Sequence, residues 1–196
     1  GATVWVPYKR PQYEALRLET SVFADAFAML RDVGTRIDGR PMSGTLVTGN
    51  FFQALGVNAA LGRTLVPADD ERFAGRPVIV LSQKGWVKLF KADPAVIGRT
   101  LGVNGVPYEI VGVMPPGFRG LGTAPPDYWA PLALLGQFRH AAAGREDEIA
   151  IDVVGRLKPG VSPATATAAL TVWASGNTDL KAVGGQPKTV RLMPRQ

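Results

Sequence analysis

Residues 77–113 read PVIVLSQKGWVKLFKADPAVIGRTLGVNGVPYEIVGV, and the order of signals in them decides the fold class. Pro77 to Ser82 is a short continuous apolar run, the mark of a strand buried on both faces. Ser82 then offers a capping hydroxyl to a helix whose Trp86, Leu89 and Phe90 share one side. After a loop at Asp93-Pro94, two β-patterned runs, Thr100 to Val103 and Val106 to Val113, flank Asn104-Gly105. That dipeptide suits a type I′ hairpin, because both central residues need positive φ. A strand, a helix and a hairpin in succession predict a mixed α+β architecture.

The preceding residues fit the same class. Residues 8–20 read as a helix, with Pro11 in its first turn and Tyr13 and Leu16 at helical spacing. Val22 to Val33 is patterned as a strand that pairs with Pro41 to Thr48 across the Asp38-Gly39 turn. Thr48-Gly49-Asn50 offers caps to a short helix with Phe51, Phe52 and Leu55 turned inward, and Gly56 is a natural stop. On the C-terminal side, Met114 to Asp127 is a loop set by its prolines and glycines. Tyr128 to Leu135 reads as a strand, and residues 136–148 carry no period and read as an exposed connection. Ile149 to Leu157 alternates as a strand, and Ser162-Pro163 opens a helix that buries Ala166, Ala169, Leu170 and Trp173. Thr189 to Met193 reads as a closing strand. The outline divides the chain into flanks, 1–56 and 127–196, and an inserted unit at 57–126.

Composition narrows the function. The 196 residues are 46% hydrophobic and 19% charged, with 23 Gly and 16 Pro, which suits a turn-rich globular domain. No run of 18 or more apolar residues occurs, so the sequence contains no bilayer-spanning helix. The opening Gly1-Ala2 lacks an initiator methionine and reads as the start of an internal fragment. The absence of cysteine excludes disulfides, thiol catalysis and thiolate metal sites. The net charge is +6, but the basic residues are scattered and form no stripe interleaved with aromatics, so nucleic acid is not an expected partner.

Catalytic constellations are missing from the pattern. The sole histidine, His140, has neither a Gly-x-Ser-x-Gly elbow nor a second histidine to work with, and reads as a loop residue. Asp69-Asp70-Glu71 follows Pro67 at what resembles a helix start, where acidic residues favour the dipole. The alternative, a hydrolase using these carboxylates, requires them to converge in a cleft. Gly39 to Gly44 has a P-loop gap, but Thr45-Leu46 stands where Lys-Ser/Thr is required. No cofactor and no metal is therefore expected.

Three stretches, TGNFFQALGVNAALGRTLVPADD, PVIVLSQKGWVKLF and DPAVIGRTLGVNGVPYEIVGVMPPGF, follow one another in an order that closely resembles the periplasmic core domain of MacB-like permeases. Leu157-Lys158-Pro159-Gly160-Val161-Ser162 adds to the match, which spans about residues 10–160 and fades beyond Ala174. The resemblance implies a porter-like βαβ-type subdomain with a smaller, sabre-like α/β insertion. It also implies a place on the periplasmic side of the bacterial inner membrane, between transmembrane helices of an ABC-transporter-type permease. Implied partners are those helices, a cytoplasmic ATPase and a periplasmic adaptor. Implied too are a monomeric isolated domain, a dimeric full-length protein and a role in mechanotransmission during efflux or export. The family has no catalytic residues to carry over. The alternative reading is a periplasmic module that binds a ligand or peptide.

The motif glycines Gly49, Gly56, Gly62, Gly98, Gly105 and Gly112 are read as turns or close backbone approaches. Phe51, Phe52, Trp86, Phe90, Tyr108 and Trp129 are read as core. Partner contact is assigned to loops, at Phe118, Arg119 and Leu121 between Pro115 and Pro126, and at Arg139 and Arg145 in the 136–148 connection.

Overall fold

Two turns with both central residues in the left-handed region fold the chain back on itself. Asp38 and Gly39 take φ of 46° and 80°, and Asn104 and Gly105 take 50° and 86°, the backbone that a two-residue type I′ hairpin demands. The structure, a computed structural model, describes residues 8–19, 21–71, 75–122, 124–139 and 143–176. The expected strand Thr189 to Met193 and His140 lie outside these residues.

The first hairpin joins β1 (Phe23–Ile37) to β2 (Arg40–Val47). β1 is 15 residues long and pairs with three strands. Its first half pairs antiparallel with β8 (Asp152–Leu157), from Phe23 opposite Leu157 to Met29 opposite Asp152. Its second half pairs with β2, from Met29 opposite Val47 to Ile37 opposite Arg40. Within this ladder the register shifts between Leu30 and Val33, and Asp32 there sits at φ 56°, a bulge that bends the strand locally.

β2 lies parallel to β7 (Tyr128–Pro131), which lies antiparallel to β4 (Val78–Leu81). β4 is parallel to β6 (Val106–Val113), and the second hairpin pairs β6 with β5 (Thr100–Val103). β5 returns to β1 at Ile37 opposite Val103, where Asp38 N–H donates to the Gly102 carbonyl at 3.2 Å and Gly102 N–H to Asp38 Oδ1 at 3.1 Å. The six strands β1, β2, β7, β4, β6 and β5 thus close on themselves, which leaves no open edge between them. β3 (Leu61–Gly62) pairs with β6 outside this ring.

The alternation of side chains fills two faces. Ile79, Leu81, Ile110, Tyr128 and Ala130 belong to one apolar cluster with Val33, Ile37 and Leu46. Their immediate neighbours Val78, Val80, Val111 and Trp129 belong to a second, with Phe51 and Phe52 of α2 (Phe51–Leu55). The VIVL run is apolar throughout because both of its faces are covered. A third cluster, Leu16, Val22, Phe23, Ala166, Leu170 and Ala174, seats α1 (Arg10–Arg17) and α5 (Pro163–Gly176) at the β1–β8 end. Each large side chain so buried contributes on the order of 2–3 kcal/mol.

Several expectations need correction. Thr48 and Asn50 do not cap α2. Thr48 Oγ1 instead accepts from Ala28 N at 3.1 Å, and Asn50 Nδ2 donates to Asp25 Oδ1 and the Ala26 carbonyl, both at 2.9 Å. These side chains bind β1 just beyond the end of its ladder with β2 at Met29 opposite Val47. The strand expected over Tyr128 to Leu135 ends at Pro131, and a 3-10 turn, Leu132–Leu134, leads into α4 (Leu135–Phe138). The connection 136–148 is accordingly not exposed at its start. Phe138 packs against the rings of Tyr108 and Tyr128 at 5.3 and 6.0 Å, and Gln137 Oε1 accepts from the Tyr108 hydroxyl at 2.7 Å. Strands from 57–126 and from the flanks share one sheet and one core cluster.

Candidate functional site

The loop between β6 and β7 is clamped at both ends by backbone pairing. Met114 N–H donates to the Leu81 carbonyl at 2.9 Å, and Asp127 N–H to the Ser43 carbonyl at 2.7 Å. The Asp127 carbonyl accepts from Ser82 N and Ser82 Oγ at 3.0 and 3.1 Å. α3 (Gln83–Phe90) starts at this point, capped by Ser82 Oγ, which accepts from Gly85 N at 2.9 Å. A Cβ on Gly85 would stand 2.0 Å from the Asp127 carbonyl oxygen, so the helix and the loop meet only because residue 85 has no side chain.

Asp127 is buried and is ringed by polar partners. Its Oδ2 accepts from Ser43 N at 2.9 Å. Lys84 Nζ lies 3.0 Å from Oδ1 and Lys88 Nζ 3.4 Å from Oδ2. Burial on its own would raise this carboxyl, but the Ser43 N–H and the two ammonium groups outweigh it and hold the group below its ordinary range.

Two recesses flank the loop. The first, about 240 Å³, is lined on the strand side by Arg31, Asp32 and Thr45 and on the loop side by Arg119, Leu121 and Pro126. The second, about 470 Å³, lies between α3 and the loop, with Lys84, Val87 and Lys88 facing Phe118, Arg119 and Pro125. Lys84, Arg119 and Pro125 line both. Arg31 is committed to Asp152 at 2.9 Å. Arg119 is exposed and makes no ion pair or hydrogen bond with the described residues.

Of the contact residues expected from sequence, the structure therefore gathers Phe118, Arg119 and Leu121 around one loop. Phe118 has a double role: it lines the second recess while its ring meets Phe52 and Trp129 at 5.9 and 5.3 Å. Arg139 and Arg145 line neither recess. Arg139 is exposed after α4, and Arg145 pairs with Glu148 at 3.0 Å. Sequence reasoning missed Lys84 and Lys88. Their spacing of four on a helix that starts at Ser82 was the available signal, but the Asp127 that joins them is distant in sequence.

The acidic cluster does not converge. Asp69 is fully buried and takes a forked pair from Arg63, at 2.6 and 3.1 Å, while its Oδ2 also accepts from Val66 N at 3.0 Å. Asp70 turns to Arg10, 3.6 Å away on α1, and accepts from Ala133 N at 2.6 Å. Burial raises the Asp70 carboxyl to about 6, against the pull of Arg10. Glu71 is exposed. The two aspartates stand in the first turn of a 3-10 helix, Pro67–Asp70, where they form a buried knot and each holds a different segment. Among the described residues no group of three or more His, Cys, Asp or Glu side chains is placed to hold a metal ion, and no helix is long and apolar enough to cross a membrane.

Comparison with known proteins adds a family. The model of the MacB-like periplasmic core domain matches residues 3–172. The fold is similar to that of the periplasmic region of MacB from Actinobacillus actinomycetemcomitans, with a TM-score of 0.62 and 14% identity over 87% of this chain and 75% of that one. It is also similar to the extracellular domain of the noncanonic ABC-type transporter YknZ from Gram-positive bacteria, with a TM-score of 0.69 and 14% identity over 96% of this chain and 90% of that one. No curated protein sequence matches the chain.

Proposed function

Since the chain belongs to the family of MacB-like periplasmic core domains, components of ABC-transporter permeases, we propose that it is a non-catalytic module that binds partner proteins and relays motion between them and the membrane part during efflux or export. The observation that carries the reading is the family match over residues 3–172. The divergence of Asp69 and Asp70 toward separate arginines supports the non-catalytic part. In this proposal the motion originates in a cytoplasmic ATPase and passes through transmembrane helices to the domain, and the permease works as a dimer.

The proposal includes two subdomains that share one sheet: a porter-like unit from 1–56 and 127–196, with α1, β8 and α5, and a smaller insert, 57–126, with β3 to β6. β1 suits a relay, because one continuous strand of 15 residues is hydrogen-bonded to β8 at one end and built into the ring at the other. A displacement of the β8 end reaches the ring through covalent backbone.

The test is topological. The chain contains no cysteine, and Val172 is 75% exposed. Val172→Cys in a cysteine-free full-length permease is expected to react with a membrane-impermeant maleimide once the outer face of the inner membrane is accessible. Reaction only after the inner membrane is broken would refute the placement.

A further inference from the structure

The second recess combines two chemistries on facing walls. α3 offers Val87, 49% exposed, and the loop offers Phe118 and Pro125, an apolar cleft open to solvent. Around it stand Lys84, Lys88 and Arg119. The carboxylate in contact with this group is Asp127, which takes both lysines, so three cations against one buried anion leave two positive charges. The adjoining recess adds Asp32 and the neutralised Arg31–Asp152 pair beyond Arg119, on the strand side.

We propose that this recess docks an acidic, extended protein segment, which seats one apolar side chain between Val87, Phe118 and Pro125 and sets its carboxylates against Arg119, Lys84 and Lys88. The concavity selects a projecting side chain over a flat bilayer surface. Lys84 and Lys88 are one helical turn apart, about 5–6 Å between Cβ atoms, and alternate residues of an extended segment are about 6–7 Å apart, so side chains at alternate positions match the spacing of the two lysines along the helix. Arg119, without an ion pair among the described residues, supplies a fork that suits a carboxylate. The inference rests on the interaction-module reading and gives its partner a chemistry.

The probes are fluorescein-labelled Gly/Ser octapeptides that carry one Phe followed by two Glu at alternate positions, with matching Gln and Lys versions. Anisotropy on the intact chain is expected to show the Glu peptide binding about tenfold or more tighter than the Gln peptide, a difference of about 1.4 kcal/mol, and the Lys peptide not binding. Added salt weakens the Glu complex. Arg119→Glu with Lys88→Glu abolishes the preference, Arg119→Lys keeps it, and Val87→Ser weakens Glu and Gln peptides alike. Circular dichroism melts exclude unfolding of the variants. Equal binding of Glu and Gln peptides, or indifference to the charge reversal, would overturn the proposal. So would absence of peptide binding together with charge-dependent binding to vesicles of phosphatidylglycerol and phosphatidylcholine, which would assign the patch to the membrane. Each of these failures leaves the maleimide topology test of the module unaffected, so the two readings fail separately.

Discussion

Replacement of Arg63 by alanine tests the knot that ties β3 to the 3-10 turn Pro67–Asp70. The side chain of Asp69 has no exposed surface, and that of Arg63 is 40% exposed. Loss of one partner of a buried ion pair costs about 3–5 kcal/mol. Here water reaches the vacated side, Val66 N still donates at 3.0 Å, and Arg76 stands 3.9 Å away. These reduce the expected loss to about 2 kcal/mol, or roughly 4–8 °C in Tm for a chain of this size. The assay is urea unfolding followed by tryptophan emission, since Trp129 is only 1% exposed. Asp69→Asn added to Arg63→Ala removes the stranded charge but keeps an acceptor for Val66 N, so the cycle should show a coupling of at least about 1 kcal/mol. A loss below about 0.5 kcal/mol, or no coupling with Asp69→Asn, would refute the argument that this pair holds the segment.

Three further outcomes follow from local geometry. Asp70 has a folded pKa raised to about 6, from an ordinary 3.8, so its contribution is fully present below 3.8 and lost as pH rises through about 6. Stability at pH 5 should exceed that at pH 7 by about 1 kcal/mol more in the parent than in Asp70→Asn, as read by urea unfolding at both pH values. Gly85→Ala forces a Cβ against the Asp127 carbonyl and should cost about 2–3 kcal/mol, whereas Gly34→Ala, with nothing within 4 Å, should change the thermal midpoint little. Leu170→Ala, in the α1–β8–α5 cluster, should cost about 2–4 kcal/mol, with hydrogen exchange accelerated first in α5 and β8 and later in β4 and β6.

Legibility in the sequence followed the range of the interactions. The Asp38-Gly39 and Asn104-Gly105 turns, the VIVL strand, the Ser82 cap and the left-handed stop at Gly56 each depend on a few adjacent residues, and all were readable. The mixed α+β class followed from their order. Ring closure was not readable, because the parallel pairing of β2 with β7 and of β4 with β6 joins segments whose patterns do not name a partner. α4 was hidden for a different reason: its four residues are too few to show a period, although Leu135 and Phe138 sit three apart. Thr48 and Asn50 looked like caps, but tertiary hydrogen bonds to β1 proved more favourable than the local ones.

The same distinction separates the parts of the site. Phe118, Arg119 and Leu121 stood out as apolar and cationic residues in a proline-bounded loop, and one loop brings them together. The opposite wall, Lys84 with Lys88, is joined to that loop through Asp127, a contact across about 40 residues. Arg139 and Arg145 carried the same compositional signal but lie in a segment whose path depends on the docking of Phe138. Asp69 and Asp70 were readable as first-turn residues but not as buried ones, because their arginine partners lie 6 and 60 residues away.

Transmission of motion is the central claim, and a distance measurement tests it most directly. Spin labels at Val172→Cys and Leu18→Cys, exposed at 75% and 77%, would be placed one at a time in both copies of a cysteine-free, full-length permease in lipid nanodiscs. Pulsed electron resonance would then compare the nucleotide-free and the ATP-vanadate-trapped protein. The inter-copy distance distribution at each position is expected to shift when nucleotide is trapped. Identical distributions in the two states, in a preparation whose ATPase is active, would contradict it.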